Sequence, residues 1–590
     1  MFLVGWHKVW ALSFSVFAGV LVSTPLVFAA GSSQADAVDG VIKNTEQHFL
    51  EKNRKATPQA DYLPKGQRSD EASLSASDSD DPGFVLKNFI IVGAEHLSSQ
   101  RLRSCGAGFR GRSLLVSDLV KIADCMTDVY VKAGFSLSRV VVPPQDITGG
   151  VVRFQAIEGY IAGFEIKGQG HERFPVASYL DVLLKERPLR QSHLERQLML
   201  LNDLPGLMVE DTSLEEVGKL TGAFKLVVHV TTWRLWSQSE IDNRGTKAVG
   251  PLQTYQSVYL NSPFGHGGSL GFSYSSIPDS SDELNFARLS LDLPLNGEGL
   301  GLSGFVSASE TRPGDERTSS NTRYRNLNGG LSLTYAWARE REFSAWFGAG
   351  VWASTKVNEN DNGRFVRDEL RGVHINGQFD FQDRFNGENS VFVTLRQGLD
   401  VGGASRAGDP LLSNSDGDGV FTKLYMDLVR YQSIDDHWSF KLDLAAQFSN
   451  RGLLSSEEFY IGGSRFGRGF ESGALSGDSG FGAAFELAYY TPLDFAFLNG
   501  AKIYGFADVA GILEDGFAEQ DGAIVASAGG GVRFFLDYDI KAEFELAFAL
   551  EDDYLTDVDD HEFVFRLSRS VKLQDLSVNS YLNSLPLVRR

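Results

Sequence analysis

From about residue 235 to the C-terminus the chain is built of segments near ten residues long in which apolar and polar side chains alternate. In "RLSLDLPL", Leu289, Leu291, Leu293 and Leu295 share one face and Ser290 and Asp292 the other. "HWSFKLDLAAQFS" sets Trp438, Phe440, Leu442, Leu444 and Phe448 against Ser439, Lys441, Asp443 and Gln447. "KAEFELAFAL" sets Phe544, Leu546, Phe548 and Leu550 against Lys541, Glu543 and Glu545, and "EFVFRLSRSV" aligns Phe563, Phe565 and Leu567. Successive side chains of a strand point to opposite faces, so each segment has one apolar and one polar surface. A soluble sandwich alternates in the same way. Strand length, a small or polar second face, and polar loops such as "GDERTSSNTRYRN" and "SNSDGDG" favour a membrane barrel, apolar outside and wet inside. At roughly twenty residues per strand and connection, residues 235–590 accommodate about sixteen antiparallel strands. The expected fold class is therefore mainly β.

The preceding residues read differently. Lys8 leads an apolar stretch from Val9 to Val22, and "LVFAAG" places Val27 and Ala29 at the small-residue positions of a cleavage site, so residues 1–29 read as an export signal. A retained anchor is the alternative, since Val9 to Ala29 can just span a bilayer. Residues 30–55 hold an amphipathic helix with Val38, Val41, Ile42 and Phe49 toward one side, and residues 56–83 are a polar linker. Residues 84–159 alternate strand and helix signals, with a helix begun by Ser117 and stopped by Gly134. The order recurs over residues 160–232, which predicts two small α+β domains of one kind. Cys105 and Cys125 are the only cysteines. In an oxidising compartment they would close a loop of about twenty residues, worth about 3 kcal/mol; two separately buried thiols are the alternative. With no neighbouring histidine they make a poor metal site. A net charge of -21 speaks against nucleic-acid binding.

Several stretches carry a family resemblance. "GFSLSRVVVPPQDITGGVVRFQAIEGYI" resembles the end of the first POTRA domain in the outer-membrane transporters of two-partner secretion, the TpsB proteins, through Pro143, Pro144, Gln145 and the terminal Glu158, Gly159, Tyr160. "FGRGF" resembles that family's Val-Arg-Gly-Phe/Tyr motif, with Gly467 in place of the common valine and Arg468, Gly469 and Phe470 retained. "FADVAG" resembles its Phe-x-Asp-x-Gly motif, with Phe506 and Asp508 in place and the glycine one position late, at Gly511. The resemblance spans nearly the whole chain. It implies an outer-membrane barrel of a Gram-negative bacterium with two POTRA domains in the periplasm and a lumen closed by the N-terminal helix and by a loop near residues 459–481 folded inward. It implies export of one large partner exoprotein of adhesin or cytolysin type, with membrane lipid and the barrel assembly machinery as further partners and with no cofactor or metal. A barrel assembly factor of the same superfamily, or a passive porin, is the alternative.

Physical chemistry singles out a contact. Lys502, Tyr504, Phe506 and Asp508 share one face of "AKIYGFADVAG", and the more polar face points inward. An arginine on a loop inside the lumen needs an anion, and a wall carboxylate is its bidentate partner. The expected clamp is Arg468 to Asp508, with Glu486 as a second candidate. Enzymatic readings of the same stretch are weaker. "GRGFESG" lacks the following Lys-Ser/Thr of a phosphate loop, and "GDSG" around Ser479 would need a converging His and Asp. "DGDG" at Asp416 to Gly419 lacks the ligand pattern of a calcium loop and reads as a turn. About nineteen residues after Val571 form a tail or a later strand.

Overall fold

The computed structural model describes residues 37–52, 83–280, 282–495, 497–513, 522–550 and 561–574. The expected signal segment, nearly all of the linker and the tail beyond residue 574 lie outside the described residues.

Sixteen strands among the described residues close into one antiparallel barrel, each paired with its neighbours in sequence except where the inward loop intervenes. The first strand, Leu235–Asp242, closes against the last, His561–Leu573, over the register Leu235↔Leu573 to Asp242↔Arg566. Closure leaves the sheet without a free edge, the condition for a sheet in hydrocarbon. The alternation is realised as read: Leu289, Phe544 and Phe563 are exposed on the outer face, while Asp443, Gln447 and Glu545 are buried inside. The last strand runs past Val571 to Leu573.

Between the N-terminal helix and the barrel stand two small units. The first has a three-stranded sheet, with Asn88–Val92 parallel to Val151–Ile157 and Arg139–Val141 antiparallel to it, covered by the helix Val116–Lys132. The expected start at Ser117 is corrected: Leu115 is the N-cap, because the Asp118 carboxylate reaches back 3.2 Å to the Leu115 N–H and begins the helix at Val116. Gly134, at φ 89°, follows the helix end. Cys105 and Cys125 are joined in a disulfide. The second unit repeats the sheet with Tyr160–Lys167, Leu207–Glu216 and Ala223–Thr232, over helices Val176–Leu180 and Gln191–Asn202.

This second unit sits on the barrel. Its core takes in Ala336 and packs against Trp346, both from barrel strands. Arg339, almost wholly buried, makes a two-pronged pair with Asp203 at 2.8 and 2.9 Å, and Arg341 meets Glu195 at 2.9 Å. Hairpin turns touching this unit mark one rim of the barrel, the periplasmic one if the small units lie where the resemblance implies, and the opposite rim then faces outward. Strands such as Gly363–Gln382, 20 residues long, exceed the ten or so a bilayer requires and rise beyond it on that outer side.

Candidate functional site: the plugged lumen

Two elements fill the barrel. One is the helix Ala37–Lys52. Val38, Val41 and Ile42 are buried in a cluster with Ala248, Val249, Ile277, Leu284 and Tyr324 of the wall and its outer loops; the side chain of Phe49 lies outside the described set. The polar side is tied as well. Asp39 pairs with the buried Lys356, and Glu46 accepts from Asn328 at 2.6 Å and Ser307 at 3.3 Å. His48 stacks on Tyr255 with centroids 4.0 Å apart.

The other element is the loop that leaves the strand Trp438–Ser449 and returns to the wall at Ser479–Phe495, folded on itself by pairing of Phe459–Ile461 with Leu475–Gly477. The expected span near 459–481 is shifted at its end, because Ser479, Gly480 and Phe481 are already wall residues. Phe459, Ile461, Phe466, Phe470 and Leu475 form an apolar cluster inside the barrel with Ala510, Ile512 and Val525 of the wall. At its base Glu457 is buried between Arg396 at 3.0 Å and Lys423 at 2.7 Å. Arg465 bridges Asp427 at 2.8 Å and Asp443 at 2.5 Å.

The tip differs from the sequence expectation. Tyr504, Phe506 and Asp508 do point inward, and Ile503 outward. The direct Arg468–Asp508 pair is nevertheless corrected. Asp508 Oδ1 accepts the backbone N–H of Gly467 at 2.6 Å and the Ser527 hydroxyl at 2.8 Å, while the Arg468 guanidinium lies 3.1 Å from Glu545 and 3.6 Å from Glu486. Arg468 also lies over the Phe506 ring, 4.2 Å from its centre. The cause is the backbone: Gly467 at φ 72° turns its own amide toward Asp508, and the side chain that follows is carried past it to the next wall carboxylates. Gly469 has no room for a side chain, since a Cβ there would stand 2.6 Å from the backbone of Phe548 and Ala549.

Glu545 was on the inward face of "KAEFELAFAL" in the alternation, but nothing in the chain order singles it out. Its other partners are distant in sequence: Arg244, in the loop after the first strand, at 2.6 Å and Tyr504 at 2.7 Å. Glu486 is held in turn by Arg533, at 2.6 and 2.9 Å. The result is a wall network that the loop arginine enters rather than an isolated pair.

Helix and loop also hold each other. Lys356 donates to Asp39 of the helix and, at 2.6 Å, to Ser455 of the loop. Lys43 donates to the Ser456 carbonyl at 2.9 Å, and Asn44 to the Ser472 hydroxyl. Gly40 and Gly473 meet backbone to backbone, where a Cβ on Gly40 would fall 2.5 Å from the Gly473 Cα. Beside them lies a lumenal cavity of about 440 Å³, bordered by Arg288, Arg396 and Lys423.

The motif residues at the end of the first periplasmic unit mostly fasten that unit itself. Gln145 exchanges hydrogen bonds with the Arg153 backbone at 2.7 and 2.8 Å and reaches the Pro143 carbonyl beside Pro144. Glu158 accepts from the backbone N–H groups of Glu95 and His96, both at 3.0 Å, from the His96 ring at 2.7 Å and from the Tyr130 hydroxyl at 2.9 Å. Burial pushes this carboxyl up, but the bonds from His96 and Tyr130 outweigh it and hold Glu158 below its ordinary value. Gly159 accepts from Leu189 N–H of the second unit at 2.9 Å and so links the two units, while Glu158 fastens the first unit and Tyr160, under Arg187 at 4.0 Å, belongs to the second.

Comparison with known proteins places this architecture. The profile of the family described as haemolysin secretion/activation protein ShlB/FhaC/HecB matches residues 222–534, more than half of the chain, and that of the ShlB-type POTRA domain matches residues 84–159. The chain is 22% identical over 402 residues to the heme/hemopexin transporter protein HuxB of Haemophilus influenzae, covering 65% of this chain and 68% of the relative. It is 24% identical over 233 residues to the outer membrane transporter CdiB of Escherichia coli, 38% of each. The solved structure of CdiB from Escherichia coli superposes with a TM-score of 0.72 at 18% identity, covering 91% of this chain and all of that one.

Proposed function

Because the chain belongs to the ShlB/FhaC/HecB family of haemolysin secretion/activation proteins, the outer-membrane transporters of two-partner secretion, we propose that its lumen is the route of a large partner exoprotein and that the helix and the inward loop are its resting closure. The observation that carries this reading is the mutual hold of the two plugs through Lys356, Lys43 and Asn44. Residues 84–159 and 160–232 act as the POTRA pair that receives the unfolded partner in the periplasm, by addition of a strand to an open sheet edge. Both sheets offer such edges: Asn88–Val92 in the first and Leu207–Glu216 in the second. Passage follows when the helix leaves, and folding of the partner outside supplies the drive.

The chain acts as a conduit, without catalysis. Support comes from the residues that resemble a protease loop: the Ser479 hydroxyl accepts the Ser449 N–H at 3.1 Å and Asp478 accepts the Leu453 N–H at 2.6 Å, so both serve to fasten the loop base. Removing residues 84–232 is expected to abolish release of the partner into the medium while the barrel still reaches the outer membrane. Release that continues at the normal level would refute capture by these domains.

A further inference from the structure

A second concavity, of about 510 Å³, lies on the outer face of the wall, across the strands from the lumen. Its cause is a row of cross-strand neighbours on the lipid side, Tyr274, Ala287, Ala308 and Leu327, in which the two alanines leave a dip between larger side chains. The dip lies at the upper edge of the apolar band: Leu289, Val306 and Leu327 are all more than half exposed to lipid, and the strand Arg323–Arg339 ends just above them. That end is the outward one, because the opposite end of the same strand, at Arg339, is buried against the periplasmic unit.

Above the dip stand three arginines. Arg325 and Arg364 border the concavity, and Arg323 sits one strand step beyond Arg325. The nearby carboxylates are already engaged: Glu359 pairs with Arg325, and Glu310 pairs with Arg312 at 2.6 Å. Arg323 and Arg364 have no ion-pair partner among the described residues. Glu359 lies opposite both Arg323 and Arg364 in the register and Glu310 lies opposite Arg325, so four arginines, with Arg312, share two carboxylates, an excess of positive charge unexpected on a chain of net charge -21. Guanidinium forks match phosphate oxygens in pairs, and unlike an ammonium they do so at low hydration cost. A dip lined by methyl groups directly below accepts a hydrocarbon chain.

We propose that this groove holds a phosphorylated glycolipid of the outer leaflet, its phosphate on Arg323, Arg325 and Arg364 and one acyl chain in the dip over Ala287 and Ala308. The lipid would hold the upper ends of these early strands, leaving the lumen to the exported chain.

The test uses the full-length protein purified in mild detergent and titrated with diphosphoryl lipid A, with lipid A stripped of both phosphates, and with inorganic phosphate, reading bound lipid by native mass spectrometry. Diphosphoryl lipid A is expected to remain bound. The Arg323→Ala/Arg364→Ala double variant should bind it about tenfold to a hundredfold more weakly, the effect of losing two charge-assisted contacts. Ala308→Leu fills the dip and leaves the arginines in place; it should weaken lipid A binding without changing the response to inorganic phosphate. Equal binding of the dephosphorylated lipid, or an unchanged affinity in the correctly folded double variant, overturns the phosphate contact. Unchanged lipid binding by Ala308→Leu overturns the acyl seat, and inorganic phosphate binding as tightly as lipid A overturns the assignment to a lipid.

Discussion

Replacing Asp508 by asparagine is expected to be nearly silent, whereas alanine at the same position should free the inward loop. Oδ1 accepts two hydrogen bonds, from the Gly467 N–H at 2.6 Å and from Ser527 at 2.8 Å, and Oδ2 is buried with no hydrogen-bond partner. An asparagine carbonyl can accept both bonds. It gives up only the extra strength of a charged acceptor, about 1 kcal/mol. Alanine removes the acceptor and leaves a buried amide and a buried hydroxyl unsatisfied, at about 1–3 kcal/mol each when water cannot reach them. Taking about 3 kcal/mol in all, the detached state of the loop gains roughly a hundredfold in population. The assay is immunodetection of the partner in the medium, with single-channel conductance of the purified barrel alongside. Asp508→Ala should lower release and raise the frequency of conducting events, and Asp508→Asn should do little of either. Had Asp508 been the counter-ion of Arg468, loss of its charge alone would be severe. Equal impairment by the two variants therefore refutes the backbone-amide account.

Lys356→Met should open the resting lumen. It deletes a buried cation shared by Asp39 and Ser455, and breaking such a pair costs up to about 3–5 kcal/mol, so the conductance of the unliganded barrel is expected to rise steeply; unchanged conductance would count against the shared hold. Glu158 gives a pH prediction. Its folded pKa is lowered, so its contribution to the first periplasmic unit is fully present above the ordinary value of 4.5 and is lost as the pH falls through the lowered one. Hydrogen exchange at the amides of Glu95 and His96 should accelerate in that acid range and be insensitive to it in Glu158→Gln; an acid response that survives the substitution would remove Glu158 as its source.

The barrel was legible because lipid outside and water inside impose a two-residue period that Leu289, Asp443 and Phe544 display without any tertiary information. The periplasmic units were legible for a similar reason, an apolar helix stripe beside short β-branched strands. Their boundaries were less so: the apolar stretch "FVLKNFIIVGA" carries no turn signal, yet its strands break at Leu86 and Lys87, whose amides turn to Arg112 and Gly150. At the loop tip, the sequence identified the participants Arg468, Asp508 and Glu486 but not their pairing. Which wall carboxylate meets a loop arginine depends on how far the loop reaches, and that depends on the φ of Gly467 and on the close passage of Gly469 past Phe548, neither of which has a local signature. Lys356 was invisible for another reason: it is an ordinary inward lysine until a helix more than 300 residues away in sequence is seated beside it.

The meeting of Gly40 and Gly473 bears on how such a plug could be withdrawn. Elsewhere in the lumen side chains interlock, and separation requires rotamers to change or ion pairs to be rehydrated. Here two bare backbones lie against each other, with no side chain between Gly40 and Gly473. The contact behaves as a plain bearing: it lets the helix rest close to the loop, and it offers little friction to sliding along the helix axis. A methyl group on either glycine would force the two apart and roughen the one smooth stretch of that track.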